Sequence, residues 1–216
     1  MNTKNTALAV RVLAATAVAA LVSTAGAGIV YQQDFENPGS IGSEWSSGAT
    51  DQAAAFTRFS QRRTNSALTL TLDTMDGQAY SMIFDLYLID SWDGSNPTWG
   101  QDRFNVKVGS AVAFSELLDN QMNSPHSTFR NPDVVDYLAF GNRDADRDAI
   151  YRGLTIDFVA NGETTVLSFY GSGLQGKNDE SWGIDNLSVA AVPTPATATL
   201  LGGVALFATR RRRSAA

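Results

Sequence analysis

The sequence predicts an all-β fold, an antiparallel two-sheet β-sandwich of jelly-roll type. Three observations carry this expectation. Apolar residues recur at every second position in segment after segment. Turn formers such as Asp93-Gly94 and Asn161-Gly162 separate those segments. No stretch between the two ends of the chain has a convincing helical period.

The candidate strands follow in order. The first two are 29–35 (IVYQQDF) and 55–60 (AFTRFS). In 67–74, Leu68, Leu70 and Leu72 alternate with Thr69, Thr71 and Asp73, so one face is buried. The run 79–90 (AYSMIFDLYLID) puts Tyr80, Met82, Phe84, Leu86 and Leu88 on one face. Its other face carries Ile83, Tyr87 and Ile89, which predicts a central strand partly covered on both sides. Phe104, Val106 and Val108 alternate in 103–109, and Leu154, Ile156 and Phe158 in 152–162. The segments 134–140, 164–171 and 184–190 complete the set. Residues 115–121 (SELLDNQ) are the one candidate for a turn of helix.

The two ends read differently. Residues 1–27 have the order of a secretory signal: Lys4 and Arg11, then the apolar run Val12–Val22, then the cleavage pattern Ala25-Gly26-Ala27. Such a segment is expected to be helical. At the other end, Pro193 and Pro195 stop any strand. An apolar segment, 196–209, follows and leads into four arginines, Arg210–Arg213. Arginines after an apolar stretch stay on the cytoplasmic side. The segment predicts a short hydrophobic helix below the ~20 residues of a comfortable span. It suits transient membrane insertion better than a permanent anchor.

This tail, 192–213, resembles the PEP-CTERM sorting signal of Gram-negative bacteria, which is read by exosortase. Thr194 stands where that family usually has glutamate. The resemblance implies export, sorting to the cell surface or extracellular matrix, and loss of the tail on processing, as with other removable C-terminal anchors. The expected organisation is a signal peptide at 1–27, a sandwich domain at 28–191 and a sorting signal at 192–213.

Charge narrows the partners. The chain has 16 basic and 22 acidic residues. Six of the basic residues, and none of the acidic ones, lie in the two ends, which leaves 28–191 with 10 against 22. That balance argues against nucleic acid, whose phosphates need a basic patch. Seventeen of the acids are aspartates, the usual oxygen ligands of calcium. There is no cysteine and one histidine, His126, in a turn-rich stretch. Thiol mechanisms and typical zinc sites are thereby excluded.

Residue parity singles out three aspartates. Asp90, Asp102 and Asp185 each share the parity of neighbouring core-type residues, which predicts inward carboxylates at the rim of the core. A buried carboxylate needs amide donors, an arginine or a metal. Asp90 and Asp102 bracket the loop 91–101 and are expected to hold its backbone amides. The two ends of the domain, 33–45 and 180–189, resemble those of carbohydrate-binding jelly-roll modules. In such modules a structural calcium commonly sits where first and last strands meet. The resemblance maps its side-chain ligands onto Glu36 and Asp185, with Asp34 as a third. The middle of the chain also resembles β-sandwich domains of other exported PEP-CTERM proteins. Asp144, Asp146 and Asp148 have the one-three-five spacing of an EF-hand loop, but position six is Ala149 and position twelve is Thr155, so a solvated acidic loop is expected there.

Trp92, Trp99 and Trp182 lie in loops rich in Gly, Asp and Ser, and Trp45 follows a glycine turn. A tryptophan face beside carboxylates suits a sugar; the alternative is a ring that closes the open end of the sandwich core. Trp92, Asp93, Trp99 and Trp182 are the candidate ligand contacts. The Glu-x-Asp-x-x-Glu strand motif of jelly-roll glucanases is absent. Glu180 is the best single acid, with no evident partner in the sequence. The expectation is therefore a non-catalytic, exported β-sandwich of the envelope or polysaccharide matrix that binds glycan. A purely structural or adhesive surface protein is the alternative, and a glycoside hydrolase or lyase the third.

Overall fold

The computed structural model describes residues 28–53, 56–137, 140 and 147–193. The expected signal and sorting helices lie outside them, as do Asp144 and Asp146. Among the described residues no helix is long and apolar enough to cross a membrane.

The described fold is nearly all-β, with strands as almost its only regular elements. In chain order the strands are β1 (Gly28–Gln33), β2 (Thr50–Asp51), β3 (Phe59–Ser60), β4 (Leu68–Asp73), β5 (Ala79–Asp90) and β6 (Arg103–Val108). They continue as β7 (Ala111–Leu117), β8 (Val134–Asp136), β9 (Asp148–Val159), β10 (Thr164–Ser172) and β11 (Glu180–Ala191). A short 3-10 turn, Pro38–Ser40, is the one helical element among the described residues. One sheet runs β1-β11-β5-β9-β8, a second β4-β10-β6-β7, and β2 pairs with β3. Every pairing is antiparallel.

Side chains from both larger sheets meet in one core. Tyr80, Met82, Phe84, Leu86 and Leu88 of β5 join Leu68 and Leu70 of β4, Phe104 and Val106 of β6, and Leu167 and Phe169 of β10. Phe84 stands edge-on to Phe169 with ring centroids 5.3 Å apart. Burial of each such side chain stabilises the fold by about 1.5–3 kcal/mol.

The central strand is covered on its second face over its C-terminal half, at Tyr87 and Ile89, while Ile83 of the same face stays exposed. Tyr87 and Ile89 pack with Phe56, Phe59 and Ile150 in a separate cluster. The segment carrying Phe56 and Phe59 thus lies over the outer face of the five-stranded sheet. It then runs beside β11: Arg63 and Trp182 exchange both backbone hydrogen bonds, at 2.9 and 2.8 Å. Toward its C-terminal end β11 pairs on that edge with β1, from Leu187 to Ala191. Covering the edge satisfies strand N–H and C=O groups that would otherwise be left open.

Two expectations change. Residues 115–117 belong to β7 instead of starting a helical turn. Gly109, at φ 58°, turns the chain back after Val108, and Ala111–Leu117 then pairs along β6. This edge strand is exposed over its first half, so it lacks the alternation that marks buried strands. The parity argument for Asp185 also fails. A bulge breaks the register between Asp185 and Ser188, with Asn186 at φ 50°. An inserted residue reverses the facing of everything after it. Trp182 and Ile184 before the bulge, and Leu187 and Val189 after it, all enter the main core. Asp185 turns to the other face, toward Tyr87.

Gly183 has a steric cause. A Cβ built there would lie 2.4 Å from Cδ2 of Phe59, so the bare backbone is what lets this ring close on β11. Gly183→Ala is expected to cost about 1–3 kcal/mol through overpacking, read as a lower urea midpoint at unchanged m-value. An unchanged midpoint would show that Phe59 has room to move.

Candidate functional site: a buried acidic cluster and an exposed tryptophan

β5 ends at Asp90, whose φ of 67° starts the chain into the loop that returns at β6. The loop is pinned at both ends. Asp93 N donates to Asp102 Oδ2 at 2.5 Å, and Asp102 N donates to Gly94 O at 2.9 Å. Asp102 does hold a loop amide, as expected from its position. Asp90 meets a different partner, Arg62, at 3.8 Å. Asp90 N donates to Asp148 Oδ1 at 2.9 Å, so Asp148 serves β5 as a backbone acceptor.

A second loop, between β10 and β11, packs beside the first. Gly176 O accepts from both Asp179 N and Glu180 N. Gln175 N donates to Glu180 Oε2 at 2.6 Å. The Gln175 side chain donates to Trp99 O at 2.8 Å and links the two loops. Trp92 Nε1 donates to Ser181 O at 2.9 Å and fixes the first loop on the start of β11.

Together these contacts bring carboxylate oxygens of Asp93, Asp102 and Glu180 within 4.8 Å of one another. Asp102 and Glu180 are 0% exposed, and Asp93 is half-buried. Asp102 Oδ1 and Glu180 Oε1 have no hydrogen-bond partner among the described residues. Burial is the main cause that lifts the Asp102 carboxyl to about 6, opposed by the Asp93 amide and assisted by the charges of Asp93 and Asp119. Burial likewise lifts Glu180 to about 7, opposed by the Gln175 amide and assisted by Asp102, Asp179 and Asp93. The charges that act most strongly on both groups are therefore acidic.

The expected calcium ligands are placed otherwise. Asp185 is buried, and its oxygens accept from Thr57 Oγ1 at 2.8 Å, Tyr87 OH at 2.9 Å and Asn186 N at 2.8 Å. Burial raises its carboxyl, and the charge of Glu36 adds to the rise. Glu36 is exposed and accepts from Arg58 N at 3.1 Å, while Asp34 accepts from Glu36 N at 3.2 Å. Asp185 thus has three hydrogen-bond donors, and Glu36 lies near enough for its charge to act on it. Asp34 lines an open polar groove of about 480 Å³ where β1 and β11 meet, with Gln32, Gln33, Ser40, Asn186 and Ser188.

The tryptophans divide sharply. Trp92 is 1% exposed and Trp182 is 0% exposed, so neither offers a face for a sugar. Trp182 Nε1 donates to Thr64 O at 2.6 Å, and its ring stands edge-on to Phe104. Trp45 is also in the core, with Nε1 donating to Tyr31 OH. Trp99 alone of the four is open, at 61% exposure. The partner that Glu180 lacks in the sequence is Asp102, 78 positions away, immediately before a strand of the other large sheet. No spacing rule connects residues joined only by packing of two loops.

No protein-family model and no curated protein matches the chain. Among solved structures, a family GH115 4-O-methyl-α-glucuronidase, BtGH115A, with specificity for decorated arabinogalactans, aligns at 12% identity and TM-score 0.31. That alignment covers 62% of this chain and 14% of the other. A Stig cyclase, Fisc, from Fischerella sp. TAU aligns at 17% identity and TM-score 0.30, over 60% of this chain and 57% of its own. The chain thus spans less than two thirds of either protein. At such scores neither fold nor activity carries over from them.

Proposed function

We propose that this chain is an exported, surface-sorted β-sandwich of jelly-roll type that binds glycan without catalysing its cleavage. The signal at 1–27 and the PEP-CTERM-like tail at 192–213 support export and processing by an exosortase-type enzyme. They support a location at the surface or in the extracellular polysaccharide matrix of a Gram-negative bacterium. The shared core of the two larger sheets supports the sandwich.

The single observation that carries glycan binding is Trp99. A large ring held open to solvent costs about 25 cal/mol for each Å² of apolar surface left in water. Its main chain is nevertheless tied down through Gln175, so the ring is presented from a fixed loop. Asn96 caps the same turn by accepting from Thr98 N at 2.9 Å. An apolar face on an anchored polar loop fits the CH face of a pyranose, with Asp93 nearby in sequence to accept from hydroxyls. The non-catalytic reading draws on access: Asp102 and Glu180 are close enough to act as a pair, but a polysaccharide cannot reach them.

A glycan array probed with the full chain tests this. Binding of an extracellular polysaccharide that weakens roughly tenfold or more in Trp99→Ala, at an unchanged melting temperature, is the expected result. Absence of any bound glycan would leave the structural or adhesive alternative. Turnover of a polysaccharide would establish the hydrolase or lyase.

A further inference from the structure

We propose that Asp93, Asp102 and Glu180 hold a calcium ion that clamps the 91–102 loop to the start of β11. Three features of the structure carry this assignment. Calcium binds oxygens at about 2.4 Å, so two ligands on opposite sides of the ion lie about 4.8 Å apart. The three carboxylates fall within that span of one another. Two oxygens, Asp102 Oδ1 and Glu180 Oε1, are buried without a partner among the described residues, although the second oxygen of each carboxylate is held by a backbone amide. A buried charge in that state is costly unless paired, hydrogen-bonded or bound to metal.

The surroundings favour a cation in a second way. Asp119 and Asp179 add negative charge around the cluster and raise the Asp102 and Glu180 carboxyls respectively. All three candidate ligands are hard oxygen donors, which select calcium or magnesium over softer metals. Magnesium keeps much of its water shell and demands near-octahedral geometry. A closed site with two fully buried carboxylates suits calcium, which accepts irregular coordination. The calcium suggested by the aspartate-rich composition thus acquires ligands other than Asp34, Glu36 and Asp185. The proposal does not require glycan binding at Trp99; it assigns Asp93 to the ion and leaves the Trp99 ring as the sugar contact.

Calcium titration of the chelator-treated full chain, read by calorimetry and by tryptophan-sensitised terbium luminescence, provides the test. Trp92 and Trp182 each lie within two residues of a proposed ligand. The expected result is one site per chain, displaced weakly by magnesium. Its affinity should fall by roughly tenfold or more in Asp93→Asn and in Glu180→Gln, while Asp34→Asn leaves it unchanged. Asp93 is half-buried, so its variant keeps the test open if Glu180→Gln fails to fold. Absence of binding at about 1 mM calcium overturns the proposal, as does binding that survives Asp93→Asn or is lost in Asp34→Asn.

Discussion

Trp182→Ala is expected to lower the free energy of unfolding by about 3–5 kcal/mol, the range for truncating a buried large aromatic. The ring is fully enclosed and packs edge-on against Phe104 at a centroid distance of 5.2 Å. Phe104 belongs to the four-stranded sheet and Trp182 to the five-stranded one, so the cavity would open between the sheets. The loss does not end with volume. Nε1 satisfies Thr64 O, and Thr64 follows the segment that covers the outer face of β5. Truncation would leave that carbonyl unpaired, at a cost included in the upper part of the range. Trp182→Phe separates the two contributions: it retains most of the volume and removes the hydrogen bond. Urea unfolding of the two variants and the parent provides the comparison. A loss under about 1 kcal/mol for Trp182→Ala would mean that the core collapses into the space.

Stability of the metal-free protein is expected to fall as pH rises from about 4 to about 8. The folded state holds the Asp102 carboxyl near 6 and the Glu180 carboxyl near 7, above their ordinary values of 3.8 and 4.5. Between those limits the folded state binds more protons than the unfolded chain, so the unfolding free energy decreases with pH. The stabilisation is fully present below the unfolded values and is lost as pH passes through about 6 to 7. Each pKa unit corresponds to 1.36 kcal/mol, so shifts of roughly two units at each of the two groups set the expected fall on the order of 6 kcal/mol. The raised carboxyl of Asp185 adds in the same direction. Glu180→Gln removes one proton site and should flatten the profile, because the amide has no charge to lose. Bound calcium should flatten it as well by holding the carboxylates ionised. Unfolding curves in chelator at pH 5 and pH 8 decide the matter. Equal stability at the two values, or greater stability at pH 8, would contradict it.

The strands that bury one face were legible from period two alone. β5 occupies 79–90 as its pattern predicts, because a twelve-residue run with apolar residues on both faces has few other ways to be buried. β7 was hidden for the opposite reason. It lies at the edge of its sheet with Val112 exposed, so burial imposed no alternation on Ala111–Leu117. Its identity comes from pairing with β6, which no local pattern records.

The site residues divide in the same way. Asp102 as a keeper of loop amides follows from its place at the end of a polar loop before an alternating strand. Asp185 was misread because parity assumes an unbroken ladder. Asp85, directly opposite, accepts from Asn186 Nδ2 and Gly153 N, and the bulge at Asn186 is built into that arrangement.

What the sequence determined by itself is the strand content, the acidic balance and the apolar and basic composition of the two ends. All three depend on composition or on neighbours within a few residues. Only the tertiary structure decided which tryptophans are buried. Trp92, Trp99 and Trp182 share the same Gly, Asp and Ser surroundings, yet two close the core and one stands open. It also decided that Glu180 meets Asp102. That meeting depends on the packing of two loops that each cross from one large sheet to the other, and packing is a property of the whole chain and not of any segment in it.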